Sequence, residues 1–243
     1  MKVEIWSDLT CPWCGLANHR LDQAVERFPH GGDIELIHRS FPLDPDLPSS
    51  PAVPARQMLK QKYGMDDAQA EAATRRVEVL AEREGLRPYI VLDNKKANTH
   101  LAHEFMAHAT TQGKHAEARH LGFRAYFGEA RSLFDVDALL ELSDELGLDR
   151  DETRQTLVER RYRQQVQDEA RRAATLGARG APFLLIDGRH AISGAQDTGT
   201  LLDVFQQVWD ATHPQLVQTL AEDAEAICGP DGCVLPADHA ARG

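Results

Sequence analysis

The sequence predicts an α/β fold interrupted by a helical insertion, and three observations predict it. A strand–helix–strand pattern fills residues 1–42. The stretch from about 55 to 177 is rich in Ala, Glu, Arg, Leu and Gln and carries little strand signal. Strand signals return at Phe183, followed by a hairpin and an amphipathic helix. The chain has 243 residues, 42% hydrophobic and 27% charged, enough to bury a core without disulfide staples.

Val3 and Ile5 open the first strand. From Pro12 to about Phe28, Leu16, Leu21, Ala24, Val25 and Phe28 recur mostly at helical steps. Gly31-Gly32-Asp33 breaks the helix, and Ile34 to His38 roughly alternates as a second strand. Strand, helix and strand this close together form a βαβ unit with a parallel pair. Pro42, Pro45, Pro48, Pro51 and Pro54 exclude regular helix and mark an extended loop leaving the sheet. Breaks near Gly64, Gly85 to Pro88, Gly113, Gly128 and Gly147 divide the insertion into about five to seven helices. Such helices need one another to bury their apolar faces, so they form a compact subdomain. Phe183 to Ile186 is a strand, Asp187-Gly188 a hairpin turn and Ala191 to Ser193 the return strand. A helix follows from about Thr198 to Trp209, and another is expected from Pro214 to about Ile227. The expected organisation is therefore a discontinuous α/β domain (1–42 and 178–212), an insertion (43–177) and a C-terminal extension (213–243).

Lys and Arg total 27 against 38 Asp and Glu, giving a net charge of −11. An acidic chain without a basic stripe is a poor partner for nucleic acid. No apolar run approaches the roughly 20 residues that span a bilayer, so no membrane partner is expected. The N-terminus lacks an export pattern, because Lys2 and Glu4 put charge where an apolar stretch belongs. A cytoplasmic location is the expectation, and there close cysteine pairs point to redox catalysis or metal binding.

The four cysteines form two such pairs, Cys11 with Cys14 and Cys228 with Cys233. Cys11-Pro12-Trp13-Cys14 stands between the first strand and the first helix. Pro12 suits the first helical position and pushes Cys11 out of helical angles, onto the cap. A sulfur there meets unpaired amides and the positive end of the helix dipole, which favour the thiolate. Cys14 lies one turn along the same face, within disulfide range. The expectation is an exposed attacking Cys11, a more buried resolving Cys14, and Trp13 exposed as a substrate contact. The rival reading is a zinc knuckle completed by Gly15. It needs two further ligands, commonly about 15–20 residues away, and no such pair exists.

With Ser7-Asp8-Leu9-Thr10-Cys11-Pro12-Trp13-Cys14, Phe41-Pro42-Leu43-Asp44-Pro45, Asn98, His103, Gly180-Ala181-Pro182-Phe183 and Gly194-Ala195-Gln196, the chain resembles DsbA-like thioredoxin-fold proteins, most of all their FrnE-like branch. The resemblance covers residues 1 to about 210. It implies a thioredoxin-like fold with a helical insertion and thiol–disulfide exchange on protein substrates, as oxidant, reductant or isomerase. It implies that Pro182 is a cis proline beside Cys11 and that Ala181 offers its backbone to an extended peptide. It places His103 near the groove. No organic or metal cofactor is required, and a cellular thiol such as glutathione or thioredoxin is the expected recycling partner.

Gly229-Pro230-Asp231-Gly232 suits a tight turn that sets Cys228 opposite Cys233 at disulfide distance. This pair is either an auxiliary redox centre exchanging with Cys11/Cys14 or a local clip on the tail. His100, Glu104 and His108, at four-residue steps, are expected to form a solvated helix face. Two rivals to the oxidoreductase reading stand: a glutathione-dependent transferase or isomerase on the same scaffold, and a non-enzymatic zinc-binding protein.

Overall fold

The structure, a computed structural model, describes residues 1–213, 227–229 and 232–234. Residues 1–208 make one compact unit, and residues 209–243 a second.

The first unit is organised on β1 (Lys2–Ser7), whose Val3, Ile5 and Trp6 are fully buried. α1 (Pro12–Arg27) carries the chain over to β2 (Glu35–Ser40), which pairs parallel with β1 from Lys2 opposite Glu35 to Ser7 opposite Ser40. β5 (Phe183–Ile186) pairs antiparallel on the other side of β1, and β6 (His190–Ser193) completes the order β2-β1-β5-β6. The turn between β5 and β6 places Asp187 at φ 47° and Gly188 at φ 68°, the left-handed region that Gly tolerates freely. The Asp187 carboxylate also accepts the Lys2 amide at 2.7 Å, tying the hairpin to the start of β1. α9 (Thr198–Thr212) brings Phe205 edge-on to Phe28, with centroids 5.7 Å apart.

Between β2 and β5 lie the short strands β3 (Val53–Pro54) and β4 (Lys95–Lys96), which pair with each other. The same span holds α2 (Ala55–Tyr63), α3 (Asp67–Arg83), α4 (His100–Thr111), α5 (His115–Phe123), α6 (Val136–Leu146), α7 (Arg150–Val158) and α8 (Arg163–Thr175). Their shared core includes Phe105, Tyr126, Phe127, Leu139 and Leu157, and it takes in Leu9 and Leu16 from the α1 end of the sheet. The insertion is thus packed directly on the Cys11–Cys14 helix.

α4 differs from expectation. Glu104 and His108 are buried rather than solvated. Glu104 accepts from Arg160 at 2.6 Å, and His108 lies 3.2 Å from the Thr153 hydroxyl. The helix is covered by α5, α6, α7 and α8, so its polar side chains find partners inward. Glu4 is buried against Arg39 (2.9 Å) and Arg172 (2.7 Å), which ties β1 to β2 and α8. The Arg172 hydrogen bond, reinforced by Arg39 and opposed by burial, holds the Glu4 carboxyl at about 2.

In the second unit, the helix expected after Pro214 lies outside the described residues. β7 (Ile227–Gly229) and β8 (Gly232–Val234) form an antiparallel hairpin. Among the described residues, no helix is long and apolar enough to cross a membrane.

Candidate active site

The turn after β1 is built around Asp8. Its Oδ1 accepts the Thr10 amide (2.8 Å) and hydroxyl (3.0 Å), and its Oδ2 accepts the Leu43 amide (2.8 Å) and the Thr99 hydroxyl (2.9 Å). One carboxylate therefore joins the turn, the proline-rich loop and the start of α4. Asn98, just before Thr99, donates to the Pro45 carbonyl and accepts the His100 amide at 2.9 Å, holding the same loop.

Cys11 occupies the cap of α1 with extended angles (φ −83°, ψ 117°), and Pro12 is the first helical residue. The Cys11 carbonyl accepts the amides of Cys14 (3.0 Å) and Gly15 (3.2 Å), which starts the helix. The Cys11 side chain makes no regular cap hydrogen bond to the second or third helical amide. Its sulfur lies 3.8 Å from the Ala181 carbonyl oxygen, within reach of a thiol hydrogen bond. The Ala181–Pro182 peptide is cis, and the Pro182 carbonyl accepts the Gly194 amide at 2.9 Å.

The two sulfurs are not equivalent. Cys14 is fully buried, and the Asp8 amide donates to its sulfur at 3.5 Å. The hydrogen bond from the Cys14 thiol is the largest influence on Cys11 and draws its acidity up, so the Cys11 pKa is lowered; the Cys14 amide helps and burial opposes. Burial first, then the neighbouring Cys11, push Cys14 well above the ordinary thiol range. The helix end contributes through one amide, and the partner thiol contributes more. Cys11 is only 5% exposed, rather than open as expected, because the Ala181 strand entrance covers it.

Three further groups converge here. The ammonium of Lys96 is buried, donates to the Thr10 carbonyl, and stands 5.5 Å from the Tyr126 ring centroid. Burial pushes its pKa down and the Asp8 charge pushes it up, while its own charge favours the Cys11 thiolate. The Tyr89 hydroxyl donates to the Pro12 carbonyl at 2.6 Å, and Asn18 Nδ2 donates to the Cys14 carbonyl at 2.8 Å. None of these was singled out from the sequence. Lys96 lies inside the span expected to be helical, where no motif marks it, and Tyr89 is separated from Pro12 by 77 residues.

Trp13 is half-buried and packs against the insertion core, so it is less exposed than expected. His103 is buried on α4 beside a cavity that includes Ser7 and Leu9. In the second unit Cys228 stands directly opposite Cys233 in the β7–β8 register. Facing residues of an antiparallel pair have α carbons about 4.5–5.5 Å apart, inside the disulfide range. Among the described residues, no three His, Cys, Asp or Glu side chains are placed to hold one metal ion.

Comparison with known proteins bears on this geometry. The family model for a DSBA-like thioredoxin domain matches residues 2–206. A structure described as a probable DsbA oxidoreductase from Streptomyces coelicolor is 36% identical, with a TM-score of 0.83 over 98% of this chain and 100% of that one. Two more distant structures share the fold alone. A 2-hydroxychromene-2-carboxylate isomerase is 15% identical, with a TM-score of 0.66 over 87% of this chain and 98% of that one. The cytosolic disulfide reductase DsbM from Pseudomonas aeruginosa is 20% identical, with a TM-score of 0.57 over 87% of this chain and 98% of that one.

Proposed function

The chain belongs to the DsbA-like thioredoxin family, and from that premise we propose that it is a thiol–disulfide oxidoreductase acting on protein substrates through Cys11 and Cys14. The observation that carries the reading is the inequality of the two sulfurs: Cys11 is favoured as thiolate at the cap of α1, and Cys14 is held beneath it as a thiol donor.

In the reducing direction, the Cys11 thiolate attacks one sulfur of a substrate disulfide. A Cys11–substrate bond forms, the substrate S–S bond breaks, and the departing sulfur takes the electron pair and a proton from solvent. The Cys11 charge that opposed ionisation of Cys14 is then gone. The Cys14 thiol loses its proton to solvent and attacks Cys11, and the second substrate thiolate departs and is protonated. The substrate disulfide has become two thiols, and the Cys11–Cys14 pair has become a disulfide. The reverse sequence oxidises a dithiol. Lys96 stabilises the anionic sulfur through this exchange, and the Ala181 carbonyl borders the place where an extended peptide would lie.

A thiol such as glutathione or thioredoxin would recycle the pair in a cytoplasmic setting, and isomerisation would follow when the mixed disulfide is attacked by a second substrate thiol. Facing in register, Cys228 and Cys233 are suited to a second, reducible pair serving the first. The test is reactivation of scrambled ribonuclease together with the reduction potential of each pair. Wild-type protein is expected to reactivate the substrate, and Cys11→Ser to lose the activity entirely. Activity that survives Cys11→Ser, or stoichiometric zinc with inert thiols, would overturn the reading. A Cys228→Ser/Cys233→Ser protein whose Cys11–Cys14 redox state is unchanged would remove the auxiliary role alone.

A further inference from the structure

The cavity bounded by β1, β2, α4, α5 and α8 has a volume of about 110 Å³. Arg119 on α5 lines it and is 6% exposed. Among the described residues its one hydrogen bond runs from Nη2 to His115 Nε2 at 3.3 Å, and its Nε is buried without a partner. No carboxylate among the described residues pairs with it. The two that influence it at longer range, Asp22 and Glu169, are engaged elsewhere. Asp22 faces His120 at 2.9 Å. Glu169 lines the cavity too, but its Oε1 accepts from Arg39 (3.2 Å) and Gln165 (3.4 Å), and its Oε2 from the Ser40 amide (2.7 Å). Burial lowers the guanidinium pKa to about 9, so it still carries its charge at neutral pH.

The hydrogen-bond network around it assigns the histidine tautomers. Thr110 Oγ1 donates to the Met106 carbonyl, so it accepts from His115 Nδ1–H at 2.8 Å. His115 Nε2 is therefore an acceptor, consistent with the Arg119 donor. His38 Nδ1, 2.8 Å from the same nitrogen, must be the donor of that pair. Burial keeps both rings neutral, His115 at about 4 and His38 well below its ordinary value. His38 Nε2 is left as a bare, buried acceptor on the cavity wall, near the buried and unpartnered His103 Nε2.

Water can satisfy a lone N–H, but it does not neutralise a buried guanidinium. A dianion would be repelled by Glu169 across the cavity, and an oxyanion without a proton would face the His38 lone pair. We propose that this cavity binds a small protonated oxyanion, bicarbonate or dihydrogen phosphate, whose charged oxygens accept from Arg119 and whose hydroxyl donates to His38 Nε2. The volume, about 110 Å³, has room for more than one water and so for a small anion of four or five heavy atoms.

The test is calorimetric titration of the full chain at neutral pH and constant ionic strength with sodium bicarbonate, phosphate and nitrate. Nitrate matches bicarbonate in shape and charge but lacks the hydroxyl. Bicarbonate or phosphate is expected to bind at one site at least tenfold more tightly than nitrate. Arg119→Met is expected to lose all saturable binding and to melt no lower than the wild type in anion-free buffer, because its uncompensated charge is gone. His38→Phe is expected to bring bicarbonate down to the level of nitrate, which keeps the question open to measurement if the Arg119 variant fails to fold. Saturable binding that ignores the hydroxyl, survives Arg119→Met, or is absent in the wild type for both bicarbonate and phosphate would overturn the assignment.

Discussion

Gly15→Ala tests whether the insertion grips the Cys11–Cys14 turn as tightly as the contacts indicate. A Cβ on Gly15 would lie 2.3 Å from the Tyr89 hydroxyl oxygen, 3.3 Å from Tyr89 Cζ and 3.4 Å from Phe123 Cδ1. The first contact is impossible, so the Tyr89 hydroxyl must leave its 2.6 Å bond to the Pro12 carbonyl. The ring has little room to yield, since it stacks on Phe127 at 4.6 Å and 15°. Overpacking costs about 1–3 kcal/mol and the lost hydrogen bond about 0.5–1.5 kcal/mol, while Ala in place of Gly in a helix returns up to about 1 kcal/mol. The net is a loss of about 2 kcal/mol. Tyr89→Phe alone removes the hydrogen bond and costs about 1 kcal/mol. In the double variant the clashing oxygen is absent, and the new Cβ meets only ring carbon at a distance that small adjustments absorb. Its stability should equal that of Tyr89→Phe or exceed it slightly, so the two changes are non-additive by about 2 kcal/mol. Urea unfolding of the four reduced proteins measures the cycle. Additive losses, or a Gly15→Ala protein as stable as the wild type, would refute the reasoning.

Three further outcomes follow from the same contacts. Cys14→Ala removes the donor that most favours the Cys11 thiolate, so the pH midpoint of Cys11 alkylation by iodoacetamide should rise toward the ordinary thiol value of about 8.5. Lys96→Met should move that midpoint upward too, slowing alkylation at neutral pH, because a buried cation that favours the thiolate is lost; an unchanged midpoint would exclude Lys96 from tuning the site. Glu4 has a folded-state pKa depressed from 4.5 to about 2, so its stabilisation is present above its unfolded value and drains away as pH falls through that interval. Glu4→Gln should cost about 3 kcal/mol near neutrality, since Arg39 and Arg172 lose their buried countercharge, and acid titration of its unfolding free energy should be flatter than the wild type below about pH 4.5.

The parts of the site legible in the sequence are those set by neighbours in the chain. Pro12 after Cys11 determines the cap, and the three-residue step to Cys14 determines the shared helix face. Asp187-Gly188 announced its turn through backbone angles that Gly and Asp adopt with little cost. The misreadings share one cause. Periodicity reports which side of a helix is polar but not how many sides are covered. α4 is wrapped by four other helices, so Glu104 and His108 turned inward to Arg160 and Thr153. Trp13 meets an apolar wall that the insertion supplies, which its two flanking cysteines do not reveal.

The insertion also contributes directly to the candidate site. Asp8 lies next to both sulfurs and its charge disfavours the Cys11 thiolate. Its own four hydrogen bonds keep it there, two of them from Leu43 and Thr99, outside the β1–α1 segment. The opposing cation, Lys96, arrives on β4, and Tyr89 reaches the Pro12 carbonyl from the same insertion. A β1–α1 unit alone would retain the cap geometry and the Cys14 donor but lose Lys96, and with it the charge that offsets Asp8. The acidity of Cys11 is therefore a property of two chain segments joined by packing. Variation within the insertion can retune the thiol without altering a single residue of the Cys-Pro-Trp-Cys motif.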